Sequence, residues 1–332
     1  MGGDNAPRDP VLGALEALEE NKDINVVLIG KEDVISNLLK DKKYDANRLS
    51  ILHASEVIEN DDSPIKSIKR KTDSSLVVGM ELVRDGEVDV LVSAGNTGAI
   101  VAGGSLIVGR IAGVERPALT TILPTAKNYS LMLDVGANSN CRPINYLQFA
   151  LMGWLYMSEV DGRPNPSVRL LNIGAESHKG TDTVKKSYKL LKKYVQNFQG
   201  NIEGREIIDG DTDIIVSDGF SGNVAVKVME GTAMYVASEF KRILMSKFLS
   251  KLMALSVAKP MRALKNKMDY AEYGGAPLLG VDGKVIKTHG SSNVKAFKNA
   301  IAKNAVKYAK SNIITKIAEN ISSIEYDDIE EI

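Results

Sequence analysis

Cysteine, aromatic residues, a charge excess and long apolar runs are all scarce in this sequence, and each scarcity excludes something. The only cysteine, Cys141, rules out an internal disulfide and suits a reducing compartment. The 42 Lys+Arg cancel the 42 Asp+Glu, so no global field draws the chain to nucleic acid, and any anionic surface must be met by local clustering. No run reaches the roughly 18 apolar residues that a spanning helix requires, and Met1-Gly2-Gly3-Asp4-Asn5 resembles no signal peptide. Ala6 stands where a myristoylation signal wants Ser or Thr. A cytoplasmic protein is expected.

Motif absences narrow the chemistry. His53, His178 and His289 offer no H-E-x-x-H or C-x-x-C spacing, so no metal site is expected. Neither G-x-G-x-x-G after a strand nor G-x-x-x-x-G-K-[ST] occurs, which speaks against ordinary dinucleotide or nucleoside-triphosphate binding and leaves no cofactor implied. There is no G-x-S-x-G elbow, and Cys141 has no evident base partner; Arg142-Pro143 beside it reads as a helix start. With no protein nucleophile in view, a reaction whose nucleophile arrives as substrate becomes attractive.

What is present is a core and a pattern. The 332 residues, 44% of them hydrophobic, suffice for one large domain or two modest ones. Short β-branched runs at Ile24–Ile29, Leu49–His53, Val88–Val92, Leu131–Val135, Val168–Ile173 and Ile214–Val216 alternate with helical stretches such as Ile144–Met157, Thr183–Val195 and Val224–Leu255. That alternation predicts an α/β fold with a mostly parallel sheet. No repeat or linker marks a boundary, so residues 1–332 are read as one catalytic domain.

Four of the strands run into small, polar, glycine-bearing loops: Gly95-Asn96-Thr97-Gly98, Asp134-Val135-Gly136-Ala137-Asn138, Ile173-Gly174-Ala175-Glu176 and Asp218-Gly219-Phe220-Ser221-Gly222-Asn223. Glycine is also the ordinary residue of a tight βα turn. In open sheets, though, ligands lie beyond the carboxyl ends of strands, where helix N-termini favour anions, so the four loops are expected on one phosphate-binding rim. Lys179, between the Gly174 turn and a helix starting near Thr181, reads either as a solvated lysine or as an ammonium facing that anion. Asn223 reads either as a helix cap or as an oxyanion donor.

These loops, together with Met1-Gly2-Gly3-Asp4-Asn5-Ala6-Pro7, Tyr273-Gly274-Gly275-Ala276-Pro277-Leu278-Leu279-Gly280 and His289-Gly290-Ser291-Ser292-Asn293, resemble the PlsX family of phosphate acyltransferases, in order and along essentially the whole chain. The resemblance implies a three-layer α/β/α fold like that of phosphotransacetylases and isocitrate dehydrogenases. It implies a homodimer that transfers a fatty acyl group from acyl carrier protein to inorganic phosphate for phospholipid synthesis. Lys179 and Asn223 fall on the family positions nearest the chemistry. Gly3, Asp4, Asn5, Gly95, Asn96, Thr97, Asp134, Gly136, Asn138, Gly174, Ser221, Gly222, His289 and Ser291 become the expected substrate or phosphate contacts. The family also carries a short strand ahead of Met-Gly-Gly-Asp, so the sheet is expected to lack one strand here, with partner N–H and C=O groups left unpaired.

One segment reverses the overall charge neutrality. Phe240 to Met268 holds Lys241, Arg242, Lys247, Lys251, Lys259, Arg262, Lys265 and Lys267 and no acidic residue. Leu244, Phe248, Leu252 and Leu255 recur at helical spacing, and Pro260 separates them from Met261, Leu264 and Met268. A protruding basic, amphipathic helical pair over 240–268 is expected. It is read as a contact for the inner membrane surface or for the acidic carrier protein through Phe248, Lys251, Leu252, Leu255, Val257 and Lys259, against a core or dimer-packing role. Competing functions are a phosphate acetyltransferase using coenzyme A, a decarboxylating dehydrogenase, for which metal and nicotinamide motifs are missing, and a noncatalytic membrane scaffold, which has no need of four glycine loops.

Overall fold

The computed structural model describes residues 1–246, 257, 259–261 and 270–324. Strands β1 (Val26–Gly30) and β2 (Leu49–His53) pair in parallel as a small sheet, and eight others form a large one. These are β3 (Leu91–Ser93), β4 (Ala118–Pro124), β5 (Tyr129–Leu133), β6 (Val168–Asn172), β7 (Phe198–Glu203), β8 (Ile214–Val216), β9 (Ala276–Leu279) and β10 (Val285–Lys287), in the spatial order β3-β10-β9-β4-β5-β8-β6-β7. The α/β class and the mostly parallel sheet are as expected.

The middle of the sheet is not parallel. Strand β10 runs with β3, but β9 opposes both β10 and β4, and β4 opposes β5. Strands β5, β8, β6 and β7 then run together. The two ends of the sheet therefore point opposite ways, and the loop after β3 does not leave from the same edge as those after β5, β6 and β8. The single rim expected from the glycine loops is thus corrected: the strands that impose the reversal, β4 and β9, carry proline and are not among the strands expected from the sequence.

Alternation along the central strands splits the core into two layers. Leu131, Leu133, Ile214 and Val216 enter one apolar cluster, whereas Met132 and Ile215 enter the other. The first layer is covered by α6 (Pro143–Leu155), α7 (Asp182–Tyr194) and a C-terminal helix, Ile313–Ser322. Helix α6 is largely apolar, apart from hydrogen-bonded Asn145 and Gln148, and buried along nearly its whole length, as a helix sandwiched between a sheet and other helices must be. The second layer is covered by α3 (Pro64–Arg70), α4 (Ser75–Arg84), α5 (Thr97–Gly103) and the first turns of α8 (Gly219–Leu244). A third cluster joins α1 (Arg8–Glu20) and α2 (Glu32–Leu39) to the small sheet.

Among the described residues, β1 and β3 each have one strand neighbour. Both border a cavity of about 620 Å³, together with Met1, Val11, Ala14 and Phe297. Of the basic helical segment, Phe248, Lys251, Leu252 and Leu255 lie outside the described residues; Val257 is exposed. No described helix is long and apolar enough to cross a membrane.

Candidate active site

Loops from opposite strand ends nonetheless meet across one cleft of about 250 Å³, floored by Leu119 to Ile122 of β4. Gly95 and Thr97 at the start of α5, and His289 and Gly290 beyond β10, supply one wall. Val135 after β5 and Asn223 on α8 supply the other.

Three stretches far apart in sequence interlock on the first wall. Gly3 has φ +109°, a region that suits glycine, and a Cβ there would come within 3.0 Å of the Ala94 Cβ. The Asp4 N–H donates to the Gly290 carbonyl at 2.8 Å, and the Asn5 amide donates to the carbonyls of Ser291 and Ser292, each at 3.2 Å. The His289 Nδ1 lies 2.8 Å from the Ser291 hydroxyl and accepts from the Ser291 N–H at 3.2 Å, and burial pushes the imidazole pKa below its ordinary range. Asn96 caps α5 by accepting from the Ala99 N–H at 2.9 Å, while its amide donates to the carbonyls of Glu59 and Asn60 at 3.1 and 2.9 Å. Both ends of that side chain are spent on anchoring the loop.

The second wall is built around a buried carboxylate. Asp134 is 0% exposed, with Oδ1 accepting from the N–H groups of Leu119 (3.0 Å) and Ala137 (3.1 Å) and Oδ2 from the N–H (2.7 Å) and side-chain amide (2.9 Å) of Asn138. Burial pushes its pKa up against the opposing pull of those donors. The Asn138 amide also donates to the Pro117 carbonyl at 2.8 Å. Helix α8 packs onto this loop so closely that a Cβ on Gly222 would lie 2.1 Å from the Asp134 carbonyl oxygen, and one on Gly136 would lie 2.9 Å from the Asn223 Nδ2. Asp218 caps the helix by accepting from the N–H and hydroxyl of Ser221 at 2.8 and 2.9 Å. Asn223 therefore sits inside the helix and is not its cap, which leaves its exposed amide for the cleft. Cys141 packs behind the same loop; burial and the charges of Asp134 and Asp218 push its thiol up to about 12.

Lys179 and Gly174 are placed elsewhere. Lys179 is half-buried in the loop after β6, where its carbonyl accepts from the Asn172 amide at 3.1 Å and its stem packs against Gly174; Thr181 caps the following helix as expected. Neither residue lines the cleft. Four residues that do line it, Lys227, Glu230, Tyr273 and Lys287, escaped the sequence reading. Lys227 and Glu230 follow Asn223 at one-turn and two-turn spacing on one helix face, and Lys287 immediately precedes the Thr288-His289-Gly290 turn; those spacings were the available signal. Among the described residues no group of three or more His, Cys, Asp or Glu is arranged to hold a metal ion.

A family model described as "Fatty acid synthesis protein" matches residues 1–316. A phosphate acyltransferase from Alkaliphilus oremlandii is 47% identical over 330 residues, covering 99% of this chain and 98% of the relative. One from Clostridioides difficile is 46% identical, covering 97% and 94%. Among solved structures, a phosphotransacetylase from Streptococcus pyogenes superposes with a TM-score of 0.59 at 15% identity, covering 91% of each chain, and the EutD phosphotransacetylase from Staphylococcus aureus gives 0.58 at 15% identity, covering 90% and 91%. At that identity the structures establish the shared fold alone. Identity near one half along almost the full length, joined to the family model, establishes more: the chain belongs to the fatty acid synthesis protein family, the PlsX family of phosphate acyltransferases.

Proposed function

We propose that this protein transfers a fatty acyl group from the thioester of acyl carrier protein to inorganic phosphate, releasing acyl phosphate and the carrier thiol. A phosphate oxygen attacks the thioester carbonyl carbon, the carbonyl oxygen becomes an oxyanion, and its collapse breaks the C–S bond. The departing thiolate takes up the proton that phosphate loses. Thiolate leaves readily, so no strong general acid is demanded of the protein. The observation that supports this reading is the cleft itself, which Asn223 lines together with Gly95, Thr97, His289 and Gly290 of the glycine-bearing loops. An amide donor aimed at a developing oxyanion contributes about 2.7 to 4 kcal/mol. Lys179, beside the Gly174 turn, is assigned to neutralising an anionic substrate group.

The same reading treats the chain as one catalytic unit that pairs with a second copy and meets the inner membrane face. Homodimerisation is supported by α8, on which Phe220, Val224, Val228 and Tyr235 follow one another at near-helical spacing and are all exposed. Membrane contact is supported by the basic and apolar make-up of residues 240–268 and by exposed Phe240 and Val257. The direct test mixes purified protein with acyl carrier thioester, with and without phosphate, and follows free thiol and acyl phosphate. Both should form only when phosphate is present. Thiol release that ignores phosphate overturns the reading.

A further inference from the structure

We propose that the end of β10 is the seat of a tetrahedral phosphoryl anion, with Lys287 as its cation, the Thr288 and Ser292 hydroxyls as donors and Lys227 reaching over it from α8. The proposal rests on the acyl-transfer reading for its biological sense, but its chemistry stands on the cleft.

Lys287 lines the cleft wall, and its ammonium donates to the Thr288 carbonyl at 2.8 Å. An ammonium has three N–H donors. Among the described residues no carboxylate lies within ion-pair distance of Lys287, and burial, followed by the charge of Lys227, pushes it down to about 8 while Asp4 pulls the other way. Thr288 and Ser292, one and five residues further on, are each 1% exposed, and among the described residues their hydroxyls meet no hydrogen-bond partner. A buried hydroxyl left unpaired is costly, and buried cations are paired unless a ligand completes them. One cleft thus holds an ammonium with no carboxylate partner and two hydroxyls free to donate within six consecutive residues, a donor set that matches phosphate oxygens.

The other charges facing this point are Asp4, Lys227, Glu230 and His289. Lys227 is ion-paired with Glu230 at 2.8 Å, so an incoming anion competes with Glu230 for it at the mouth of the cleft. Burial holds His289 towards its neutral form, so it does not repel the Lys287 charge. The phosphoryl group has two possible sources, inorganic phosphate or the phosphodiester of the carrier's pantetheine arm. The small volume and buried donors commit the seat to inorganic phosphate.

Isothermal titration of inorganic phosphate into the full chain, without thioester, tests the site apart from the reaction. Lys287→Met should weaken phosphate binding about tenfold or more, the loss expected for a charged hydrogen bond, and Ser292→Ala should weaken it several-fold. Wild-type affinity should fall as pH rises through about 8, whereas Lys287→Arg, always charged, should stay flat to about pH 9. In turnover, the KM for phosphate should rise with the KM for thioester unchanged. Unaltered phosphate binding in Lys287→Met overturns the proposal, as does a rise in thioester KM alone, which marks the pantetheine phosphate as the occupant. If Lys287→Met does not fold, Ser292→Ala with unaltered affinity is decisive against it. A protein that binds phosphate through Lys287 yet transfers no acyl group sinks the functional reading and leaves the site standing; one that transfers normally without regard to Lys287 sinks the site alone.

Discussion

Replacing Asp134 by Asn changes one oxygen to NH₂ and barely changes volume, so its effect isolates hydrogen bonding. Each carboxylate oxygen accepts two donors, and none of the four donors, at 2.7 to 3.1 Å, can serve as an acceptor. Whichever way the amide turns, its NH₂ faces two N–H groups. Two hydrogen bonds to a charged acceptor are lost, and two buried donors, plus the new NH₂, are left unmade. At about 1 to 3 kcal/mol for each of these three unsatisfied groups, the loss should be about 3 to 9 kcal/mol. Urea unfolding followed by circular dichroism measures it as a drop in midpoint at unchanged slope. Linkage adds a sign: because burial raises the native pKa of Asp134, its ionisation stabilises the native state less than the unfolded one. Its protonic contribution is thus fully present below the unfolded pKa and is lost as pH rises through the native value. The variant should therefore lose this contribution to the pH dependence. A loss below about 1 kcal/mol would refute the view that this carboxylate organises the loop.

Gly222→Ala forces a Cβ to within 2.1 Å of the Asp134 carbonyl oxygen, so α8 or the loop must shift; a loss of about 3 kcal/mol or more is expected, and a melting temperature equal to wild type contradicts it. Under the proposed acyl transfer, Lys179→Ala and Asn223→Ala should each cut turnover roughly a hundredfold with the melting temperature kept, the loss expected on removing a group assigned to transition-state charge; near-normal turnover in either returns that residue to a surface or packing role, and for Lys179, which does not line the cleft, removes it from the reaction. The thiol of Cys141, pushed up to about 12, should resist iodoacetamide at pH near 8, and rapid labelling of the native protein would show that the burial assigned to it is wrong. Leu255→Glu with Val257→Glu should abolish sedimentation with anionic vesicles while dimerisation and turnover on soluble substrate persist; continued sedimentation, or dissociation into monomers, removes the segment as the membrane contact.

Local chemistry by itself determined the class of this protein and most of its parts. Leu49–His53 and Ile214–Val216 are legible because β-branched and apolar residues fit a strand wherever it lies, and Thr181 and Pro143 announce helix starts, one through its hydroxyl and the other through its fixed backbone angle, whereas the start of α8 at Gly219 precedes the expected one at Val224. The glycine loops were legible as close-approach points for the same reason: the constraint at Gly3 or Gly136 is a backbone angle, a property of one residue. What only the tertiary structure decided is which of these points face one another. The direction of β4 and β9 reverses the sheet, and nothing in Ala118–Pro124 or Ala276–Leu279 encodes the direction of a neighbour. The β3, β5 and β8 loops gather over β4, whereas β6, whose loop carries Lys179, lies two strands beyond β5 and that loop does not line the cleft. Tertiary packing also makes Lys287 a half-buried cation: a lysine ammonium is shifted by the apolar matter and charges around it, and those come from β4, α8 and the first residues of the chain, all remote in sequence.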